Sequence, residues 1–597
     1  MTGPAHVSMA TPRSPSAPPA SPWPRPRHPG LAHVAMVTPS SSCWSGRSGV
    51  TTMAGAGRVL RPSPTFLLLL RLLLLLLAGA ACTADGETEA QGSEVGGGFR
   101  LGLPFAHHMV LQREPPGAVI WGYGRPGAHV TVTLRRHPHR QALAVKDTRV
   151  REPSGTWLVV LDPMGPGGPY ELVAEQTLGR NQTTRRTVRD VYFGDVWLCG
   201  GQSNMEMTVS QIFNASKELS EASAYPDVRI FAVSLAQAEQ ELEDLEAVDL
   251  PWSIPTAENL GHGDFQYFSA LCWLFGRQLY DSLHYPIGLV ASSWGGTPIE
   301  AWSSPRSLRE CGLSQGGARP AASAGPSAAS VLWNAMIHPL LNMTLKGAIW
   351  YQGEANTVLN TDLYNCTFPA LIRDWRQAFH QGSRAQTSPL FPFGFVQLST
   401  MVESREAADG FPRVRWHQTA DFGFVPNPRM PNTFMAVAMD LGDPDSPFGS
   451  IHPRDKQTVA YRLQLGARAV AYGEKGLLFQ GPLPAKLEVC ERQRLLNVTY
   501  GQDLRLVLWD DRIFEISCCS TSDPSGARLC KWIPAPMVSA PSPRSPRTLT
   551  LSVAACPGAV SGLRYAWSTW PCAYKKCPLY HPQSELPAPP FTATLPR

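Results

Sequence analysis

The sequence predicts an α/β protein in which a helix-covered parallel sheet is flanked by N-terminal and C-terminal β regions. Between residues 191 and 475, short apolar runs alternate with segments of helical periodicity, which is typical of a parallel sheet covered on both faces. On either side of this stretch, β-branched and aromatic runs are separated by Gly/Pro turns, which indicates β structure. We therefore predict an N-terminal β-sandwich (99–190), an α/β domain (191–475) and a C-terminal β region (480–597).

The composition is that of a globular protein and excludes several functions. The chain has 597 residues, of which 43% are hydrophobic and 17% charged, so a large core is possible. Its net charge of +5 is too dilute over this length to indicate nucleic-acid binding. The sequence contains no glycine-rich phosphate loop, dinucleotide fingerprint or His/Cys metal motif, so we expect neither a metal nor a cofactor.

Two N-terminal segments are expected to lie outside the folded protein. Residues 1–52 are rich in Pro, Ser, Ala and Gly, which indicates a low-complexity upstream extension. In residues 53–81, arginines precede a leucine core and a run of small residues, which predicts a signal peptide that begins at Met53. The leucine core is interrupted by Arg71 and is short for a membrane span, so we expect no stable membrane anchor. An uncleaved anchor is the alternative interpretation.

Sequons and cysteines also favour the secretory pathway. Thirteen cysteines suit an oxidising compartment, and seven of them follow residue 485 with a spacing that favours disulfides over a zinc site. The predicted N-glycosylation sites are Asn181, Asn214, Asn342, Asn365 and Asn497. We expect a monomeric glycoprotein that is lysosomal, secreted or both.

Within each region, the residue pattern places the individual elements. N-terminal strands are predicted at 109–111, 118–121, 129–134, 155–161 and 170–173. Helices are predicted at 266–283, 368–379 and 454–472, the second after a Thr367 cap and a proline at its start. Strands at 395–398 and 433–439 complete the alternation. Later strands are predicted at 487–489, 504–509 and 548–552, and loops at 311–330 and 534–547.

Four polar or glycine-rich tips of the α/β region are the candidate site. They are Gly-Gly-Gln-Ser-Asn-Met (200–205), Ser-Ser-Trp-Gly-Gly-Thr (292–297), Gln-Gly-Glu-Ala-Asn (352–356) and Gly-Ser-Ile-His-Pro (449–453). The first three directly follow short apolar runs, as expected of strands that end at the tip. Because α/β sheets bind ligands at the carboxyl edge of their strands, we expect the tips to lie together.

Ser203 is the candidate nucleophile. It follows a strand-like run and two glycines, so its hydroxyl would lie at a strand end and its N–H at a helix N-terminus. Both placements suit attack on an ester carbonyl. The structural alternative is a Ser-x-x-Glu capping box with Glu206. The segment is not a Gly-x-Ser-x-Gly elbow, because Met205 stands where the last glycine would be.

Together the four tips resemble the motif blocks of the SGNH (GDSL-like) serine hydrolases, in the sialate O-acetylesterase branch. The resemblance covers residues 99–590 and includes Tyr-Gln-Gly-Glu-Ala-Asn (351–356) and Ile-His-Pro-Arg-Asp-Lys (451–456). It implies a three-layer α/β fold and a cofactor-free serine esterase. The implied substrate is an O-acetylated sialic acid or sialoglycoconjugate, with the 9-O-acetyl ester expected, and the implied intermediate is an acetyl-serine.

The resemblance also suggests roles for the other tips. His452 matches the family's general base, although a histidine before proline is often an ordinary loop residue. Asp443 or Asp440 could orient it, since Gly449 stands where these enzymes often carry an aspartate; a backbone carbonyl or a Ser–His dyad are the alternatives. The oxyanion would be held by the N–H of Ser203, by a second N–H from Gly295 or Gly296, and by the side-chain amide of Gln352 or Asn356. The alternative for Gly295-Gly296 is a plain turn. Glu354 is an acceptor when ionised, so we expect it to brace its loop.

Two other functions stay open at this point. The first is an acetylesterase for another acetylated carbohydrate, which would use the same chemistry. The second is a non-catalytic carbohydrate-binding glycoprotein on a hydrolase scaffold, which the absent aspartate before His452 favours.

Overall fold

The computed structural model describes residues 98–136, 141–179, 182–313, 325–402, 409–520 and 529–595. The predicted extension and signal peptide, and the sequon at Asn181, lie outside the described residues. Among the helices that are described, none is long and apolar enough to cross a membrane.

The N-terminal region is built mostly from antiparallel strands, as its alternating sequence predicts. They are β1 (Arg100–Leu101), β2 (Val110–Gln112), β3 (Val119–Tyr123), β4 (His129–Arg136), β5 (Ala142–Arg149), β6 (Thr156–Val160), β7 (Gly167–Leu178) and β8 (Gln182–Gly201). One sheet has the order β1-β3-β6, and in the other β4 pairs with β5 and β7, while β2 pairs parallel with β8. Every second residue of β4 from Val130 to Leu134 is fully buried, which is the period of two that a half-buried strand requires. The sequence did not predict β5, because its side chains are mostly exposed.

Strand β8 crosses the boundary predicted between residues 190 and 191. It has 20 residues; its first part pairs antiparallel with β7, and its last part lies at the centre of the α/β sheet. The strand bends at Asp190, which has a φ of +56°. The carboxylate of Asp190 accepts hydrogen bonds from Arg229 (2.6 Å) and His108 (2.7 Å). The two regions therefore share one strand instead of meeting at a linker.

The central sheet has the strand order β10-β9-β11-β8-β12-β13-β14. Its remaining strands are β9 (Val228–Val233), β10 (Val248–Ser253), β11 (Ile287–Ser293), β12 (Gly347–Tyr351), β13 (Phe393–Gln397) and β14 (Thr433–Val437). All neighbours are parallel except the edge strand β10. Most of these strands are buried along their whole length, as is usual for a parallel sheet covered on both faces.

Helices lie on both faces of this sheet. They are α1 (Ser203–Glu206), α2 (Ala215–Glu221), α3 (Ala257–Leu260), α4 (Ala270–Leu283), α5 (Pro305–Glu310), α6 (Tyr364–Gly382), α7 (Gly410–His417) and α8 (Lys456–Val470). Trp197 of β8 packs on Phe275 of α4 at 5.1 Å, and Trp350 of β12 packs on Trp375 of α6 at 5.6 Å. Trp350 pairs with Gly200, three residues after Trp197, so the two tryptophans lie on opposite faces.

The predicted helices form, but two of them begin elsewhere. Helix α4 starts at Ala270 instead of residue 266, because Tyr267 has a left-handed φ of +62° and Ser269 caps the helix. Helix α6 starts at Tyr364, so Thr367 is not its cap and the proline lies inside the helix. Its first turn is held by packing, since Tyr364 is fully buried and its ring lies 5.5 Å from that of Phe368.

The C-terminal region consists of three small antiparallel sheets. Their strands are β15 (Pro484–Cys490), β16 (Leu495–Tyr500), β17 (Arg505–Leu506), β18 (Phe514–Ser520), β19 (Leu529–Pro534), β20 (Met537–Ser539), β21 (Thr548–Ser552), β22 (Ala559–Tyr565), β23 (Leu579–Tyr580) and β24 (Phe591–Thr594). The sheet orders are β15-β16-β21-β20, β19-β18-β22-β24 and β17-β23. The stretch predicted as a loop at 534–547 contains the short strand β20.

Disulfides connect elements in the α/β and C-terminal regions. The pairs are Cys199–Cys272, Cys311–Cys366, Cys518–Cys556, Cys519–Cys530 and Cys572–Cys577. Cys199 is fully buried and ties β8 to α4, as fits a core residue rather than a nucleophile. The prediction that the C-terminal cysteines form disulfides is confirmed. Among the described cysteines, Cys490 is unpaired.

Arg415 of α7 joins the α/β region to the C-terminal region. Its guanidinium is fully buried and donates to the carbonyls of Leu398 (2.9 Å) and Ser399 (2.6 Å). It also donates to the carbonyls of Ser568 (2.7 Å) and Thr569 (3.0 Å). One side chain thus satisfies backbone acceptors on both sides of the junction.

Candidate active site

The four predicted tips meet at the carboxyl edge of the central sheet, and Ser203 stands at the first of them. Gly201 has a φ of +147°, and a Cβ there would lie 2.1 Å from the carbonyl oxygen of Tyr351. Only glycine fits this tight exit from β8. Gln202 is the N-cap of α1, so Ser203 is its first helical residue. The N–H of Ser203 has no partner among the described residues and lies at the positive end of the helix.

Glu206 does not form the capping box that its spacing from Ser203 allows. No side chain caps α1. The Glu206 carboxylate instead accepts a hydrogen bond of 2.7 Å from the N–H of Gly295, in the second tip. Burial raises the pKa of Glu206 to about 7, and the Gly295 N–H opposes this increase. The structural alternative for Ser203 is therefore wrong, and Gly295 has no free N–H for an oxyanion while Glu206 holds it.

His452 lies in hydrogen-bonding contact with Ser203. Its Nε2 is 2.7 Å from the Ser203 Oγ, and its Nδ1 is 2.7 Å from the carbonyl oxygen of Phe448. Because a carbonyl can only accept, Nδ1 carries the proton and Nε2 is left to accept from the hydroxyl. Burial lowers the pKa of His452 and the positive charge of Lys456 lowers it further, whereas the bond to Phe448 raises it. The net effect is a lowered pKa, which favours the neutral imidazole that a general base requires.

Neither predicted aspartate contacts His452. Asp443 forms a bidentate ion pair with Arg454 (2.6 and 3.0 Å), and Asp440 forms one with Arg462 (2.6 and 2.8 Å). Each carboxylate is bound by its own guanidinium, so neither aspartate orients the base. The expectation that Asp443 or Asp440 does so is corrected. Of the alternatives, the backbone carbonyl of Phe448 occupies that place.

The side-chain amides predicted for the oxyanion hole are both engaged by each other and by the segment at 297–300. Gln352 donates to the Thr297 carbonyl (3.2 Å) and to the Asn356 oxygen (2.8 Å). Asn356 donates to Glu300 (3.0 Å) and to a backbone carbonyl. Both side chains are fully buried, so neither can reach a substrate. The expectation for Gln352 and Asn356 is therefore corrected: they shape the third tip.

Two other groups near the nucleophile have unused donors. The Oε1 of Gln202 accepts from the N–H groups of Gly353 and Ala355, both at 3.3 Å, while its Nε2 has no partner among the described residues. The N–H of Gly296 also has no described partner, and this glycine has a φ of +73°. Sequence reasoning placed Gln202 beside the site without a role, because an amide next to a serine carries no distinctive pattern.

A buried polar network lies behind Ser203 and His452. Asn204 donates to Glu354 (2.6 Å) and to the Ile451 carbonyl (2.8 Å), and it accepts from Lys456 (2.8 Å). Burial raises the pKa of Glu354 and lowers that of Lys456 to about 7. The sequence predicted a bracing role for Glu354 but missed Asn204 and Lys456, which are 252 residues apart.

Comparisons with known proteins agree with this geometry. Residues 193–447 match the family model "Carbohydrate esterase, sialic acid-specific acetylesterase", and residues 485–595 match "Sialate O-acetylesterase C-terminal domain". The chain is 64% identical over 500 residues to the sialate O-acetylesterase of Homo sapiens, a match that covers 84% of this chain and 93% of the relative.

The chain belongs to the sialate O-acetylesterase family.

Two further relatives extend the comparison. The sialate O-acetylesterase of Mus musculus is 60% identical over 528 residues, which cover 84% of this chain and 95% of the relative. The crystal structure of a carbohydrate acetylesterase from Xanthomonas citri matches 83% of this chain and 99% of its own, with 28% identity and a TM-score of 0.66. The resemblance stated from the four tips is thereby confirmed at the level of the family.

A cavity of about 250 Å³ opens next to the site in this sialate O-acetylesterase family member; Glu206 and Phe265 line it, whereas Ser203 and His452 are not among its described lining residues. The ring of Phe265, in its wall, meets the ring of His452 edge-on at 5.3 Å. The polar lining includes Glu206, Asp249, His262, Gln266, Tyr267 and Ser293. Lysine and arginine are absent from the described lining, so the cavity offers acceptors and neutral donors.

The sequons occupy different surroundings in the family member. Asn214 is exposed, whereas Asn342 and Asn497 are half-buried. The Nδ2 of Asn365 donates to Asp421 at 2.6 Å, and Thr367 of the same sequon is buried. In the part of the chain that the structure describes, no group of three or more His, Cys, Asp or Glu side chains could hold a metal ion.

Proposed function

We propose that this chain is a serine esterase that removes O-acetyl groups from sialic acids, with the 9-O-acetyl ester as its main substrate. The observation that carries the proposal is the 2.7 Å contact between Ser203 Oγ and His452 Nε2, in a member of the sialate O-acetylesterase family. The three-layer sheet with these residues at its carboxyl edge also supports an SGNH-type hydrolase.

The reaction proceeds in two steps. Ser203 Oγ attacks the acetyl carbonyl while His452 Nε2 takes the hydroxyl proton; the bond between acetyl carbon and sugar oxygen then breaks as His452 protonates that oxygen. Water attacks the acetyl-serine with His452 as base, which releases acetate and restores the serine. The Phe448 carbonyl stabilises the Nδ1–H of the imidazolium that forms in each step.

The oxyanion is received by donors that have no other described partner. These are the N–H of Ser203, the Nε2 of Gln202 and the N–H of Gly296. Ser203 adds the positive end of α1, which favours a developing negative charge. The N–H of Gly295 becomes available when Glu206 is protonated, because a carboxylic acid is a weaker acceptor than a carboxylate.

The cavity next to the site receives the hydroxyl-bearing glycerol arm of the sugar. Glu206 and Asp249 are acceptors for hydroxyl groups, and His262 and Tyr267 supply an aromatic wall, with their rings 4.2 Å apart. Without lysine or arginine in the described lining, the cavity suits a neutral polyol better than the sugar carboxylate. A 9-O-acetyl group lies at the end of such an arm, which supports the 9-position.

We place the enzyme in the secretory pathway, as a lysosomal or secreted glycoprotein. The disulfides support an oxidising compartment, and the predicted signal peptide agrees with it. We further propose that the active unit is a monomer, because Ser203 and His452 come from one chain.

The test is acetate release from 9-O-acetyl-N-acetylneuraminic acid by protein that begins at Met53. Ser203→Ala and His452→Ala should each lower kcat/KM by at least about a thousandfold, whereas Ser220→Ala, an exposed serine of α2 outside any sequon, should match the wild type. Thermal melting of each variant shows that it is folded. A wild type that is folded and glycosylated but releases no acetate would refute the sialate proposal.

Two further measurements separate the remaining alternatives. Comparison with a 4-O-acetyl isomer tests the preference for the glycerol arm, and a panel of other acetylated sugars tests a broader carbohydrate acetylesterase. Labelling by a fluorophosphonate probe at Ser203 excludes a non-catalytic carbohydrate-binding scaffold, since such a scaffold would not react.

A further inference from the structure

The main chain around His452 is held on both sides by buried side chains. The carbonyl of Ile451, just before the base, accepts from Asn204 Nδ2 at 2.8 Å. The carbonyl of Pro453, just after it, accepts from Lys456 Nζ at 2.7 Å. Within the described residues, the hydrogen bonds of the imidazole itself go to Phe448 and Ser203. The position of the base therefore depends on the position of its backbone.

Asn204 connects these two contacts to the rest of the site. It lies next to the nucleophile, accepts from Lys456 Nζ at 2.8 Å and donates to Glu354 Oε1 at 2.6 Å. The three side chains are at most 6% exposed. Among the described ion pairs, Lys456 and Glu354 do not meet directly, so the Asn204 amide bridges a buried cation and a buried carboxylate.

We propose that Asn204, Lys456 and Glu354 together position the general base by fixing the backbone on both sides of it. The Phe448 carbonyl holds the Nδ1 of the base. Asn204 and Lys456 fix the backbone that carries His452, and Glu354 anchors them to the third tip. The positive charge of Lys456 also favours the neutral imidazole. This inference rests on the proposed role of His452 as the base.

Fold stability alone does not account for a lysine at this position. A fully buried ammonium is costly to desolvate, and this cost offsets much of what its hydrogen bonds contribute to folding. The benefit of Lys456 must therefore include something that an apolar residue cannot supply. The contact to Pro453 and the charge next to the base are two such contributions.

Among the charged groups described around His452, Lys456 is the one whose charge lowers the pKa of the imidazole. Helix α1 contributes Ser203 and also Glu206, whose carboxylate is turned to Gly295. The wall segment contributes the uncharged ring of Phe265, and the base's own loop contributes the Phe448 carbonyl. Burial and the charge of Lys456 both lower the pKa of His452.

The experiment compares Lys456→Met, Lys456→Arg and Asn204→Asp with the wild type on 9-O-acetyl-N-acetylneuraminic acid. Lys456→Met should lower kcat about ten- to a hundredfold, with KM changed less than about threefold, because a misplaced base slows chemistry more than binding. It should also move the acidic limb of the pH profile of kcat/KM to higher pH. Lys456→Arg keeps the charge, so its acidic limb should stay in place even if its kcat falls.

Asn204→Asp retains an acceptor for Lys456 but removes the donor to both Ile451 and Glu354, so it should lower kcat without moving KM. The control is Tyr574→Phe, which removes a 2.6 Å bond to Asp455 at the start of the same helix but leaves the network intact. It should keep the wild-type kcat and pH profile, and a fall in its kcat equal to that of Lys456→Met would refute a specific role for the network.

The two proposals fail in different ways. If Lys456→Met and Asn204→Asp both retain wild-type kcat and an unmoved acidic limb while Ser203→Ala is inactive, the positioning role is wrong and the esterase proposal stands. If the wild type itself releases no acetate, the esterase proposal fails first. Should Lys456→Met not fold, Lys456→Arg and Asn204→Asp decide the same question.

Discussion

Glu206 makes the stability of this protein depend on pH in a direction that can be calculated. Burial raises its pKa from 4.5 to about 7. Between these values the unfolded chain loses the proton while the folded protein keeps it, so folding is favoured at low pH. The contribution is fully present below pH 4.5, declines as the pH rises and is lost above about pH 7. At 1.36 kcal/mol per pKa unit, the total is about 3 kcal/mol.

Glu206→Gln removes this dependence and little else. The amide oxygen of glutamine can still accept from the N–H of Gly295, so the contact between the first and second tips is kept. We therefore compare the free energy of unfolding of the variant with that of the wild type at each pH. Relative to the wild type, the variant should be about 3 kcal/mol more stable at pH 7 than it is at pH 4.5.

The assay is denaturant unfolding of both proteins at several pH values. Glu258→Gln serves as the control, because Glu258 is an exposed carboxyl of α3 and reports the loss of a surface charge alone. Parallel pH profiles for wild type and Glu206→Gln, or a difference of the opposite sign, would refute the reasoning about this carboxyl.

Three further substitutions test other parts of the structure. Gly201→Ala should lower kcat/KM at least about tenfold, because its methyl group would lie 2.1 Å from the Tyr351 carbonyl oxygen; wild-type kinetics would contradict the tight turn. Arg415→Met should lower the free energy of unfolding in urea by about 4 kcal/mol, since four buried carbonyls lose a donor at about 1 kcal/mol each; a loss below about 1 kcal/mol would contradict it. Gly449→Asp should move the acidic limb of kcat/KM to higher pH, because a carboxylate in the turn before His452 favours the imidazolium; an unmoved limb would show that it does not reach the base.

The sequence predicted the groups whose placement follows from the sheet. Ser203 could be placed in advance because it directly follows a strand end, whereas His452 lies well after β14 and was predicted from the family resemblance. The central helices could be placed from apolar periodicity, although α4 begins later because Tyr267 is left-handed. Such predictions succeed where local pattern and sheet geometry agree.

The roles that the sequence could not give depend on contacts distant in the chain. Gln352 and Asn356 carry the right amides, but Thr297 and Glu300 engage them, and no local pattern shows this. The acceptor for His452 Nδ1 is the backbone of Phe448, and every residue has such a carbonyl.

The bend in β8 has a consequence for how the enzyme can be divided and moved. The strand begins in the N-terminal region and ends one residue before the N-cap of α1, and Arg229 and His108 bind its carboxylate at Asp190. The N-terminal region thus contains the first part of the strand that presents the nucleophile, and it is not a separate module on a hinge. A protein that began at residue 191 would retain the catalytic residues. The part of the strand that remained would lose its neighbours in the N-terminal region. The N-terminal region therefore cannot move as a separate body without disturbing the strand that leads to Ser203.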